Sequence, residues 1–172
     1  MAGYGAPAGE RARRGNALIE FTLLGIPIIF ISLSIVSVSL DMWQFHSLAY
    51  STEMTARYAT VHGATCTANT NSCTITIGNM ATYYASQALA LDPAQVIVNF
   101  TDGSGTTTCN PVNSCNSNAT QFPKAAYNSI GMDVKVVATY TLKNPFAMFW
   151  PPNSDPASAF SVSATSRQRI GF

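Results

Sequence analysis

The chain reads as an α+β protein. One long N-terminal helix, whose first half spans a membrane, is expected to lie against a small antiparallel sheet with one further helix. Three observations predict this. Residues 21–40 carry no ionisable side chain, and 20 helical positions cover about 30 Å, the thickness of one hydrocarbon core. Residues 41–62 continue without Gly or Pro, with apolar residues at helical spacing. Farther on, 132–143 and 160–170 alternate apolar and polar residues at the period of a half-buried strand.

The elements follow in order. Residues 1–15 are rich in glycine, hold almost no large apolar side chain, and are expected to be disordered and outside the fold. Arg11, Arg13 and Arg14 outweigh Glu10 there, so the positive-inside rule keeps this end cytoplasmic and exports the bulk of the chain. A cleaved secretory signal fits poorly. The apolar run is longer than the usual 7–15 residues, and Ser37-Val38-Ser39 is a weak cleavage site. Little supports twin-arginine export from Arg13-Arg14. Within the span, Pro27 gives either a mild kink or a packing feature. Ser32, Ser34, Ser37 and Ser39 either back-bond to the helix or line a helix contact.

The continuation 41–62 carries one stripe of Met42, Phe45, Ala49, Thr52, Ala56 and Ala59 and a second of Trp43, Tyr50, Met54, Tyr58 and Val61. Glu53 and Arg57 form an i,i+4 pair, and Gly63 is the stop signal. Trp43 and Tyr50 belong at or just beyond the outer membrane interface, and the surface 42–59 is the expected protein-contact face. Cys73, Ile75 and Ile77 alternate with threonines as a short strand. Asn79 is expected to cap a helix reaching Leu91, with Met80, Tyr84, Ala88 and Leu91 on one face. Residues 96–101 are a strand, and 102–121 read as a long polar loop. Residues 132–143 are the clearest strand, with Val134, Val136, Ala138, Tyr140 and Leu142 facing one way. Residues 145–152 form an apolar connection tucked under the sheet or against a partner, and 160–170 alternate again. The implied divisions are 1–15 leader, 16–40 transmembrane helix, 41–63 extramembrane helix and 64–172 exported domain.

Charge and chemistry narrow the function classes. From Asp41 onward six acids (Asp41, Glu53, Asp92, Asp102, Asp133, Asp155) balance six bases (Arg57, Lys124, Lys135, Lys143, Arg167, Arg169), leaving no basic stripe for nucleic acid. The 132 residues after position 40 are enough for one domain with a modest core. Four cysteines fit an oxidising destination. Cys66 and Cys73 enclose six residues and Cys109 and Cys115 five, so neither pair has zinc-knuckle or C-x-x-C spacing. Of three pairings, the two local ones are favoured because each pins a polar loop; a long-range pairing stays open. His46 and His62 are solvated or helix-packing residues, the aspartates are scattered, and no nucleophile or phosphate-cradling motif occurs. The matches to the N-glycosylation pattern at Asn99 and Asn118 carry little weight. No catalytic residue, metal or cofactor is expected.

One stretch goes further. Gly15 is followed by Asn16, Ala17, Leu18, Ile19 and then Glu20 and Phe21, so a carboxylate stands in the fifth position after the glycine. An acid at the centre of a spanning helix costs about 2.5–3.5 kcal/mol, less near its end. Glu20 either snorkels to the cytoplasmic headgroups or has a partner. The run G-N-A-L-I-E-F-T-L-L-G-I-P resembles the TadE-like minor pilins (pseudopilins) of the tight-adherence, or Flp, pilus system. Their pattern is G-x-A-x-[VI]-E-F-[AT]-L with a proline several residues on, and Ala56-Arg57-Tyr58-Ala59 fits their later Ala-Arg-containing helix. The resemblance covers about 13–63; the remainder matches only in layout.

The resemblance implies a pilin-like fold and cleavage between Gly15 and Asn16 by a prepilin peptidase. It also implies pairing of Glu20 with the new N-terminal amine of a neighbouring subunit. The implied partners are other pilin or pseudopilin subunits, an inner-membrane assembly platform and the lipid bilayer, in service of a pilus used for adhesion. The implied location is the bacterial inner membrane, single-pass, with the domain periplasmic or carried into a surface pilus. Two alternatives stand beside it: a minor pseudopilin of a type II secretion or DNA-uptake machine, and a signal-anchored periplasmic binding domain in which Gly15 and Glu20 are coincidental.

Overall fold

The computed structural model describes residues 9–62, 75–142 and 160–171, with side chains from Ile19 in the first segment and from Ser161 in the last. The chain divides between Leu40 and Asp41 into two compact units. Helix α1 is Gly9–Val61. It begins before Ala17, within the stretch expected to be disordered. Glu10, Arg11, Ala12, Arg13 and Arg14 are all good helix formers, which offsets the roughly 1 kcal/mol that each of Gly9 and Gly15 costs.

In the first unit the large apolar side chains from Ile19 to Leu40 are exposed on every side of the helix. This is one stretch long and apolar enough to cross a membrane. Its hydroxyls bond within the helix. Ser32 donates to the Ile28 carbonyl at 2.8 Å, Ser34 to Phe30 at 2.8 Å, Ser37 to Leu33 at 3.0 Å and Ser39 to Ile35 at 2.8 Å. Back-bonded serines can face lipid, since no hydroxyl is left without an acceptor.

The second unit joins the rest of α1 to helix α2 (Ile77–Gln87) and a four-stranded sheet. The strands are β1 (Val96–Asp102), β2 (Gly105–Cys109), β3 (Asp133–Leu142) and β4 (Phe160–Arg169). They are antiparallel in the order β2-β1-β3-β4. The expected strands at 96–101, 132–143 and 160–170 are present. The inner face follows from the pleat: Val98 pairs with Ala138 and that with Ala164, while Phe100 pairs with Val136. All five are buried.

α1 meets this core with small and hydroxylic residues. Leu48, Ser51, Thr52, Thr55, Ala56 and Ala59 are fully buried. Thr52 donates to the Leu48 carbonyl at 2.6 Å and Thr55 to Ser51 at 2.7 Å, which lets a polar face enter an apolar core. The expected stripes are therefore only partly inward. Ala49, Thr52, Ala56 and Ala59 turn toward the core, whereas Met42, Phe45, Trp43, Tyr50 and Val61 are exposed. Tyr58 stacks on Tyr83 at 4.3 Å and the Ser47 hydroxyl donates to the Leu89 carbonyl, so α1 and α2 run in opposite directions.

Two sequence expectations are corrected here. The expected strand is absent among the described residues: Ile75 lies outside any helix or strand and Ile77 begins α2. Thr76 forms a single β-bridge to Gln121 and caps the helix, accepting from the Asn79 amide at 3.2 Å. Asn79 is thus inside the helix, and the helix ends at Gln87 rather than Leu91. The Ile77 and Gly78 amides donate to the carbonyls of Thr120 and Asn118, each at 2.9 Å, which rewards helical over extended backbone at those positions. Gly78 permits this approach, because a Cβ there would lie 2.6 Å from the Asn116 carbonyl oxygen.

The long loop 102–121 is likewise structured. Gly103 and Ser104 form a two-residue turn into β2, and a 3-10 turn, Val112–Cys115, follows. The Cys109–Cys115 disulfide, with its Cα atoms 5.6 Å apart, ties β2 to that turn. Cys66, Cys73, Gly63 and the apolar connection 145–152 lie outside the described residues.

Candidate functional site

Three regions carry the features that could serve function. The first is the head of α1. Gly15 and Asn16 lie in continuous helical backbone, and Glu20 and Phe21 follow one turn later, both exposed. Glu20 has no ion pair among the described residues. It stands at the start of an apolar surface, one carboxylate against the next 20 residues.

The second is a shallow groove of about 530 Å³ between α1 and the edge strand β4, lined by Phe45, Ala49 and Glu53 on one side and residues 163–168 on the other. Glu53 also pairs with Arg57 at 2.5 Å, as the i,i+4 spacing predicts. Both partners are well exposed, so this pair contributes little to stability.

The third is the polar end of the sheet. Asp133 lies across from Arg169 in the β3–β4 register and bonds Arg167 at 2.5 Å and Arg169 at 3.5 Å. The Arg167 hydrogen bond, more than its charge or that of Arg169, holds the Asp133 carboxyl below the usual range. Nearby, Asp102 is buried at the β1–β2 turn. Burial alone would raise its pKa. The Lys124 amide at 2.9 Å and the Ser104 hydroxyl and amide at 2.5 and 2.8 Å outweigh it, with help from the Lys124 charge, and the pKa is lowered. Both aspartates are therefore ionised structural acceptors, without the raised pKa of a general acid.

In the core, Tyr84 is buried without a well-formed hydrogen bond from its hydroxyl. Desolvation raises its pKa, only partly countered by the nearby Ser51 and Thr52 hydroxyls. The His62 ring packs at a tilt against that of Tyr58, centroids 4.2 Å apart, and its Nδ1 lies 3.0 Å from the Tyr58 carbonyl oxygen, a helix-end contact. Among the described residues no three His, Cys, Asp or Glu side chains come together as a metal site.

Of the residues singled out from sequence, the structure joins Cys109 to Cys115 and places Gly15, Asn16, Glu20 and Phe21 on one helix. It adds the β4 groove, the Asp102 cage and the exposed Leu89 turn, which sequence reasoning missed. The Gly103-Ser104 dipeptide, a two-residue hairpin signal with Gly first, marks the cage in the sequence.

The architecture defines a class: an α+β protein carrying one long, apolar N-terminal helix. Beyond that class, no family model matches the chain, and no curated protein or solved structure matches it.

Proposed function

We propose that the chain is a non-enzymatic minor pilin of the TadE-like kind, taking part in assembly of a tight-adherence pilus. It is anchored in the bacterial inner membrane with its N-terminus cytoplasmic and its second unit outside. A prepilin peptidase cuts between Gly15 and Asn16. The observation that carries this reading is the spacing from Gly15 to Glu20-Phe21 at the head of an apolar helix with a basic flank.

The chemistry of the reading is a charge match. Cleavage turns the Asn16 backbone nitrogen into an ammonium, and an isolated carboxylate in hydrocarbon is strongly favoured to pair with such a cation. A pairing between neighbouring subunits fixes their axial register, and the apolar surface of residues 21–40 supplies the packing. The helix continues into the second unit, which gives each subunit a folded body to display.

Glu20→Ala removes the carboxylate and leaves the apolar span longer. The variant is expected to insert in the membrane as well as wild type and to fail in pilus assembly, read as surface pili by electron microscopy and sheared-fraction immunoblot. Wild-type piliation in that variant contradicts the proposal.

A further inference from the structure

The sheet of the second unit ends in two unlike edges. β2 is five residues long, and its last residue is tied by the Cys109–Cys115 disulfide to the 3-10 turn. β4 is ten residues long and pairs with β3 without a bulge from Phe160 to Arg169. Its other edge pairs with no strand among the described residues. An open edge is a template for a further strand, and it is ordinarily guarded by shortness, a proline, a bulge, or a charge on the buried side. β4 has none of these. It contains no Pro or Gly. Ala164 is buried, and by the two-residue period Val162, Ser166 and Gln168 share its side, all uncharged. Arg167 and Arg169 lie on the exposed side, where Asp133 holds both.

The same strand borders the groove beside α1. Phe45 lines that groove and is 40% exposed, an aromatic ring only partly covered. Glu53 brings a charge to the groove, and Arg57 answers it. The order of side chains along β4 selects what pairs with it. On the exposed side it reads Ser161, Ser163, Thr165, Arg167, Arg169, with hydroxyls in one half and cations in the other. An antiparallel copy of β4 centred on Thr165 sets each Arg167 opposite a Ser163 and each Arg169 opposite a Ser161, with two threonines facing each other at the centre. Cross-strand threonine pairs are favourable, and directly opposed like charges are not. An in-register parallel copy opposes arginine to arginine. On the buried side the antiparallel copy sets Ala164 opposite Ser166 and Val162 opposite Gln168, again without a charge.

We infer that β4 is a dimerisation edge: two copies of the chain pair antiparallel through it, about a two-fold axis at Thr165. The pairing joins two four-stranded sheets into one and lays a strand along the groove of each copy. Because the contact is isologous it closes on itself, so the open edge is used up in the pair and no longer recruits other strands. The inference concerns the second unit alone and stands whether or not the chain is a pilin.

The test uses the full chain in detergent, with its molar mass read by light scattering corrected for bound detergent. Wild type is expected to be a dimer. Ser163→Lys/Thr165→Lys puts the new charges opposite Thr139 and Val137 of the same chain, both uncharged, but opposes like charges across the axis at 165 and between 163 and 167. This variant is expected to keep the wild-type circular dichroism and to dimerise about tenfold more weakly or worse. Under mild oxidation Thr165→Cys is expected to link two copies and wild type is not. Directly opposite Cα atoms in an antiparallel pair are about 4.5–5.5 Å apart, within disulfide reach. Ser161→Cys is expected to stay unlinked, since the two copies of that position stand eight residues apart along the pair, about 27 Å. A monomeric wild type, equal linking by both cysteines, or a double-lysine variant that dimerises like wild type overturns the inference. Linking only when Thr165→Cys is mixed with Thr107→Cys assigns β4 to the β2 edge of a next copy, an open chain of subunits, and also overturns it.

Discussion

At the scale of single residues, the second unit depends on a few polar groups held in fixed geometry. Asp102 is the strongest case. Its carboxylate accepts from Lys124 and twice from Ser104, and so joins the β1–β2 turn to the segment before residue 125. Gly103 beside it has no room for a side chain, since a Cβ would fall 2.2 Å from the Tyr127 ring. The folded-state pKa of Asp102 lies below its ordinary value, so its contribution is present above the unfolded pKa of about 3.9 and is lost as pH falls through the folded value. Asp102→Ala is expected to destabilise the chain by about 1–3 kcal/mol at pH 7, because it removes three hydrogen bonds to an ionised, buried acceptor. The gap from wild type narrows in acid. Urea unfolding of both proteins in detergent at pH 7 and pH 3 reads this directly, and an equal gap at both pH values contradicts it. In α1 the helical spacing places Thr52 on an apolar stripe but leaves out Thr55, whose residue type looks surface-facing; each bonds the preceding turn of its own helix and is buried. Met42 and Phe45 look core-facing and are exposed.

At the scale of elements, legibility tracked how much of an element's conformation its own side chains decide. β3 was plain because every second residue is apolar and buried over its length. β2 was hidden because Gly-Thr-Thr-Thr-Cys has no apolar alternation; as an edge strand it is held by pairing with β1. The start of α2 is not legible in the sequence, because Ile75 and Ile77 show the period of a strand while the deciding interactions come from carbonyls about forty residues on, at Asn118 and Thr120. Those carbonyls sit just after the Cys109–Cys115 bridge, so the disulfide, the 3-10 turn and the start of α2 form one block. The pair Cys109→Ser/Cys115→Ser is expected to cost roughly 2.5 kcal/mol from the freed loop. The α2 amides are expected to lose hydrogen-exchange protection before those of β3. Equal loss across α2 and β3, or none in α2, contradicts that coupling.

At the scale of the whole molecule, the chain combines a unit whose apolar side chains are exposed with one that buries a core of its own. Residues 21–40 hold no charge and bury little, whereas the second unit closes a core of its own beneath a four-stranded sheet. This division was readable from hydropathy and strand period. The candidate site at the head of α1 was readable as a motif, since Gly15, Glu20 and Phe21 are defined by spacing along one helix. The groove beside β4 was not, because it joins residues more than 100 positions apart, such as Phe45 and Arg167.

The central claim is that this is a precursor whose helix is released for assembly by cleavage after Gly15. The most direct measurement is the N-terminus of the protein recovered from native membranes, by Edman degradation or mass spectrometry, with and without the prepilin peptidase. The account predicts a chain starting at Asn16 that appears only when the peptidase is present. An intact Met1, or the same N-terminus in both strains, contradicts it.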